Sequence, residues 1–131
     1  MMLSKSSYKK INLQLIIIFS LAFFSILFGS EQAFGDAPIL DAIGAQNVDE
    51  GNHLEFVVTS SDVDLDPLTL TAENMPTNAA FYDSSNGHGL FEFDPDYTQS
   101  GVYQVRFIVS DGALADTELV DITVNHVNIA P

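Results

Sequence analysis

The chain has 131 residues, enough for about one domain, and 47% of them are apolar, enough for one core. From Asp36 onward 17 acids face a single basic residue, Arg106, leaving 16 net negative charges. Such a field repels nucleic acid and anionic lipid, which excludes both as partners, and it attracts cations; solubility or adaptation to salt is its plainest origin.

The first 35 residues read as an address. Lys5, Lys9 and Lys10 form a positive segment, "LIIIFSLAFFSILFG" (15–29) an apolar one, and "AFG" a small-residue site before Asp36. This pattern predicts a secretory signal cut after Gly35, and so a secreted or cell-surface protein. The rival is an uncleaved anchor, because residues 11–28 approach the roughly 20 apolar residues that span a bilayer; Asn12 and Gln14 shorten that block. Contact with a membrane is expected only through this segment. No cysteine is present, so the exported domain must draw its rigidity from packing or from bound ions.

Beyond Asp36 the apolar period is two. Leu54, Phe56 and Val58 alternate with Glu55, Val57 and Thr59, and the same period runs through Leu68, Leu70 and Ala72, then Tyr103, Val105, Phe107 and Val109, then Val120, Ile122 and Val124. The turn signals "DEGN", "DLDP", "NMPTN", "SSNGHG", "DPDYTQSG" and "SDGA" separate the runs. Seven strands are predicted near 42–48, 53–60, 67–73, 79–83, 90–93, 101–110 and 115–125. The fold class is therefore all-β, a seven-stranded antiparallel Greek-key sandwich over residues 36–131. Leu54, Phe56, Leu70, Tyr103, Phe107 and Ile122 share the inward phase. Tyr103, just inside the sixth strand, suits either a tyrosine corner or a plain core position.

The stretch "SSDVDLDPLTLTAEN" (60–74) places Asp62, Asp64 and Asp66 at alternate positions where a strand is about to begin. With Glu73 they reproduce positions 1, 3, 5 and 12 of an EF-hand loop. Position 6, however, is Pro67, where that loop needs glycine, and the flanks are strands. A cation cluster at a loop end and a merely solvated acidic turn are the two readings left. The Ala-Pro pair of "DAPIL" at the start of the domain recurs in "NIAP" at Pro131, one domain length later, as in one unit of a tandem array.

Taken together, "IGAQNVDEGNHLEFVVTSSDVDLDPLTLTAENMP", "FEFDPDYTQSGVYQVRFIVSDG" and "VDITVNHVNIAP" resemble the cadherin-like and Ig-like tandem repeats of large exported bacterial and archaeal surface proteins. The resemblance covers about residues 38–131. It implies a seven-stranded Greek-key sandwich strung into a stalk or adhesive rod, with Ca²⁺ between consecutive repeats in the cadherin branch. Glu50 resembles the glutamate after the first strand, Asp62 and Asp64 the Asp-x-Asp pair, and Asp94 with Asp96 the acidic pair of the Asp-Arg-Glu motif. Asn125 and Asn128 fall on aspartates of the calcium-binding linker, while Val127 and Ile129 fall on its asparagines, so this linker carries less charge.

Strand parity sorts the acids independently of any family. In a seven-stranded antiparallel sandwich each connection changes ends, so one pole gathers Asp49, Glu50, Asp94, Asp96, Asn125 and Asn128. The other gathers Asp36, Asp62, Asp64, Asp66, Asp83 and Asp111. Ca²⁺ takes six to eight oxygen ligands, and these clusters offer carboxylates and carbonyls. The expected metal ligands are Glu50, Asp62, Asp64, Asp66, Asp94, Asp96, Asp111, Asn125 and Asn128, binding Ca²⁺ weakly in a single repeat, with neighbouring repeats or another surface protein as partners.

Catalysis finds little support. His53, His88 and His126 lie in unrelated segments, no Ser-His-Asp arrangement is apparent, and Glu92 and Asp94 sit two residues apart without a visible cleft. The expected function is noncatalytic, a spacer or adhesion module. The alternative is a carbohydrate- or protein-binding domain using its loops or a sheet face, for which Phe81, Tyr82 and Tyr97 are the candidate aromatic row.

Overall fold

The computed structural model describes residues 35–130; the export signal read in residues 1–35 lies, apart from Gly35, outside them. Every regular element described is a strand: β1 (Ile39–Leu40), β2 (Gln46–Asp49), β3 (Leu54–Ser61), β4 (Thr69–Glu73), β5 (Ala79–Asp83), β6 (His88–Phe93), β7 (Gly101–Ser110) and β8 (Ala115–Asn125). They form two four-stranded sheets, in the orders β1-β3-β6-β5 and β2-β8-β7-β4.

The expected count of seven strands is corrected to eight. The segment read as one strand over 42–48 forms a strand only at Gln46–Asp49, and a short strand that was not expected, Ile39–Leu40, precedes it in the other sheet. Ile39 and Leu40 pair antiparallel with Ser61 and Ser60, whereas Gln46–Asp49 run parallel to Ile122–Asn125 of β8. The sandwich is thus not wholly antiparallel. Between the two pieces Gly44 takes a φ of 71°, which glycine adopts at little cost. The crossing leaves backbone N–H groups without a sheet partner, and β8 supplies replacements. Asp116 Oδ2 accepts from Leu40 N at 2.9 Å, and Glu118 accepts from Ile43 N at 3.0 and 3.2 Å. Two carboxylates therefore strap the crossing segment to the second sheet.

The core follows the alternating phase. Leu70, Phe107 and Ile122 are buried; Leu54, Phe56 and Tyr103 are partly buried and pack against the same cluster. Phe107 sits at its centre, with the rings of Phe56, Phe81 and Phe91 edge-on at centroid distances of 5.8, 5.5 and 5.6 Å. Edge-to-face pairs add to the area these rings bury. Gly89 is part of the same fit, because a Cβ there would collide with the Phe81 ring. Tyr103 donates its hydroxyl to Gln99 O at 3.0 Å, four residues upstream, and so closes a tyrosine corner.

Removing the central ring should leave a cavity that rigid sheets cannot close. Phe107→Ala is expected to cost about 3–5 kcal/mol, enough to unfold a marginal domain; urea denaturation followed by circular dichroism measures it. An unchanged midpoint would mean that the ring is not central to the core.

Candidate functional site

The end of the sandwich near the N-terminal segment carries the Asp62, Asp64, Asp66 loop. The alternate spacing of the three aspartates does not put them on an extended strand. β3 ends at Ser61, β4 begins at Thr69, and Leu65 between them is left-handed with φ 62°. Asp62 Oδ1 accepts from Asp64 N at 2.7 Å and from Asp66 N at 3.3 Å, so its carboxylate folds the loop back on itself. Asp62 Oδ2 is buried and has no hydrogen-bond partner. Gly35 and Asp36 lie against the other two acids. Asp36 N donates to Asp64 Oδ2 at 2.6 Å, and a Cβ on Gly35 would stand 2.7 Å from Asp64 Oδ2 and 3.3 Å from Asp66 Oδ2. A concavity of about 390 Å³ opens beside the loop, lined in part by Ser60, Asp62, Asp66 and Asn86.

Asp83 and Asp111 serve neighbouring turns. Asp83 accepts from Leu70 N and Ser85 N, tying β5 to β4. Asp111 Oδ1 accepts from Leu114 N and Ala113 N, both at 2.6 Å, in the β7–β8 hairpin. These two bonds hold its carboxyl below the ordinary range, Leu114 N first and Ala113 N second, against a smaller opposing effect of burial.

At the opposite end Glu50 is the organising group. It is 2% exposed, and its two oxygens take three donors: Ser100 N at 2.9 Å, His126 Nδ1 at 2.8 Å and Val127 N at 3.0 Å. A carboxylate only accepts, so the His126 proton sits on Nδ1. Glu50 therefore ties the β2–β3 turn to the β6–β7 connection and to the segment leaving β8. The Val127 N–H is the chief cause of its lowered pKa; burial opposes, and Ser100 N and His126 add to the lowering. Asn125 Nδ2 donates to Asp49 Oδ1 at 2.9 Å. Asp96 is occupied by Thr98, whose hydroxyl and amide donate at 2.6 and 2.8 Å and lower its pKa in that order. Asp94 turns away to His53, and Asn128 is exposed in the segment after β8. Of the nine expected ligands, then, Asp62, Asp64 and Asp66 share the loop that holds the buried, unpaired Asp62 Oδ2, whereas Glu50 is spent on the chain's own donors.

One group was missed because its members are separated in sequence. His53 stands on the outer face of the first sheet beside Glu55, and Glu55 lies directly across from Glu92 in the β3–β6 register. His53 Nδ1 meets Asp94 Oδ1 at 2.7 Å, while Nε2 lies 3.7 Å from Glu55 Oε2. The Asp94 hydrogen bond is the main cause of a raised His53 pKa. Burial opposes it, and the charges of Asp94 and Glu92 and the contact with Glu55 reinforce it.

The candidate aromatic row does not form. Phe81 points inward against Phe107, Tyr82 is 55% exposed on the outer face of β5, and Tyr97 lies over Gly51 at the Glu50 end.

Residues 35–123 match the family described as bacterial Ig domain. The chain belongs to that family. No curated protein matches it. Among solved structures, the endo-fucoidan hydrolase MfFcnA4 from glycoside hydrolase family 107 aligns with a TM-score of 0.58 at 21% identity, over 76% of this chain and 15% of the enzyme. A putative alpha-galactosidase/melibiase from Bacteroides fragilis aligns at 0.56 with 18% identity, over 70% of this chain and 18% of that one. The M1 domain from titin aligns at 0.54 with 16% identity, over 72% of this chain and all of that domain. This chain therefore spans less than a fifth of the length of both enzymes, and at these identities the likeness is one of fold.

The lowered pKa of Glu50 fixes the sign of a pH effect. A group whose folded pKa is depressed contributes stability above its unfolded value, near 4.3, and loses it as pH falls through the folded value. Glu50→Gln places an amide donor against a backbone donor and should lower the melting temperature at pH 7. The gap to wild type should narrow at pH 3, where the other carboxylates titrate alike in both proteins. An equal gap at both pH values would show that charge on Glu50 is not what its three donors recognise.

Proposed function

We propose that this chain is a noncatalytic, exported Ig-like module, a spacer or adhesion unit of a cell-surface protein, and that Ca²⁺ binds weakly at Asp62, Asp64 and Asp66. Membership of the bacterial Ig domain family supports the structural role, since such domains typically belong to surface or exported proteins. The observation that carries the metal reading is Asp62 Oδ2, buried and unpaired inside an acidic loop. A buried acceptor left unsatisfied costs roughly 1–3 kcal/mol, and more when charged, so the loop gains most from a cation. Oxygen donors alone, from three carboxylates with carbonyls and water, match the preference of Ca²⁺.

The approach of Gly35 and Asp36 to Asp64 supports a site that an entering linker completes, so neighbouring repeats are the partners this reading implies. Carbohydrate binding through an aromatic row draws no support from Phe81, Tyr82 and Tyr97, which face three different ways.

A single module should bind near the millimolar end of extracellular sites. At several millimolar Ca²⁺ it should gain about 1 kcal/mol, and a tandem of two copies of residues 36–131 should gain more. Calcium titration of the melting temperature measures this, with Mg²⁺ at matched ionic strength controlling for screening. Equal stabilisation by both ions, unchanged by Asp62→Asn with Asp64→Asn, would leave the loop as a solvated acidic turn.

A further inference from the structure

We propose a second metal site, chemically distinct from the calcium loop, on the outer face of the first sheet: His53 Nε2 with the carboxylates of Glu55 and Glu92 binds one zinc ion. One ligand atom from each of His53, Glu55 and Glu92 lies within 4.8 Å of the others, and His53 Nε2 is 3.7 Å from Glu55 Oε2. Around a tetrahedral ion with bonds of about 2.0–2.2 Å, ligands stand roughly 3.3 Å apart, so the side chains need close by at most about 1.5 Å. Both His53 and Glu55 are exposed, which leaves them free to make that adjustment without moving the strands.

The register explains why the ligands converge. Glu55 and Glu92 are direct partners across β3 and β6, a position where like charges repel. His53 is two residues before Glu55, on the same face, and Asp94 two residues after Glu92. Three carboxylates thus surround one imidazole. Beyond residue 35 the sole Lys or Arg of the chain is Arg106, which pairs with Glu73 on the other sheet. A divalent cation would neutralise the Glu55–Glu92 pair.

The imidazole is already oriented for this. Asp94 Oδ1 holds Nδ1 at 2.7 Å, which places the proton on Nδ1 and turns Nε2 toward Glu55. A carboxylate on the remote nitrogen is the arrangement that fixes the tautomer of a zinc-bound histidine and raises its basicity. Nitrogen ligation separates this site from the all-oxygen loop: imidazole with carboxylates suits zinc, whereas Ca²⁺ takes oxygen. Three protein ligands leave the fourth position to water.

The test is a ZnCl₂ titration of the solubilised, EDTA-stripped full chain at pH 7.5, by calorimetry and by histidine-imidazole ¹H–¹⁵N spectra. One ion per chain should bind, with the His53 Nε2 resonance moving and those of His88 and His126 staying in place. His53→Gln and Glu92→Gln should each weaken binding at least tenfold, and Asp94→Asn roughly 10- to 100-fold through loss of orientation. Circular dichroism should confirm that each variant is folded. CaCl₂ should leave the His53 resonance unmoved, so failure of the calcium loop and failure of this site read out separately. No zinc binding below 1 mM, unchanged affinity in folded His53→Gln, or a shift centred on His126 would each overturn the proposal.

Discussion

Two sheets without a single cysteine between them must be held face to face by shape, and the ring of Phe107 is where that shape is set. Phe56 and Phe91 come from the facing strands β3 and β6, Phe81 from the edge strand β5, and all three meet its faces and edges. The contact is directional as well as apolar, since tilted rings favour one sheet orientation over a sliding range. Gly89 keeps the place of the Phe81 ring open, and Tyr103 extends the aromatic seam to Phe93, 5.9 Å away. The ends of the sandwich inherit their positions from this seam.

A second constraint is the shortage of basic residues. With Arg106 alone in the domain, the acids cannot be neutralised by salt bridges, and many turn instead to backbone N–H groups. Glu50, Asp83, Asp96, Asp111, Asp116 and Glu118 all accept from main-chain donors. Hydrogen bonds to a charged acceptor are among the stronger ones, and they spend the carboxylate on the fold. The same accounting separates structural acids from available ones. Asp62 Oδ2 and the Glu55–Glu92 pair remain outside this backbone network.

Much of the fold was legible because the signal was period two. The phase of β7 and β8 follows directly from Tyr103, Phe107 and Ile122, and the β5, β7 and β8 spans coincide with their turn signals. The crossing of the opening segment between the sheets was not legible, because "APILDAIGAQNV" has no alternation and its cause lies in Asp116 and Glu118, some 75 residues away. Strand parity put Glu50 at the end where the chain leaves β8, and its contact with Val127 agrees, although the sandwich is not the wholly antiparallel one that parity assumed. Which oxygens remained free was beyond reach, since that depends on turns such as the Asp96–Thr98 pair. The His53 group was hidden for a different reason: it needs the register of β3 on β6, which a pattern of alternation leaves undetermined.

The parallel run of β2 beside β8 has a mechanical meaning. The chain enters the sandwich at the Asp64 end and leaves β8 at the Glu50 end. Tension along the polypeptide therefore slides β2 and β8 lengthwise past each other. Under such a load their backbone bonds, together with those of Glu50 to the segment after β8, would be strained together, not one after another as in a peeled hairpin. The strand that departs from the expected antiparallel plan is the one that would place the module under shear.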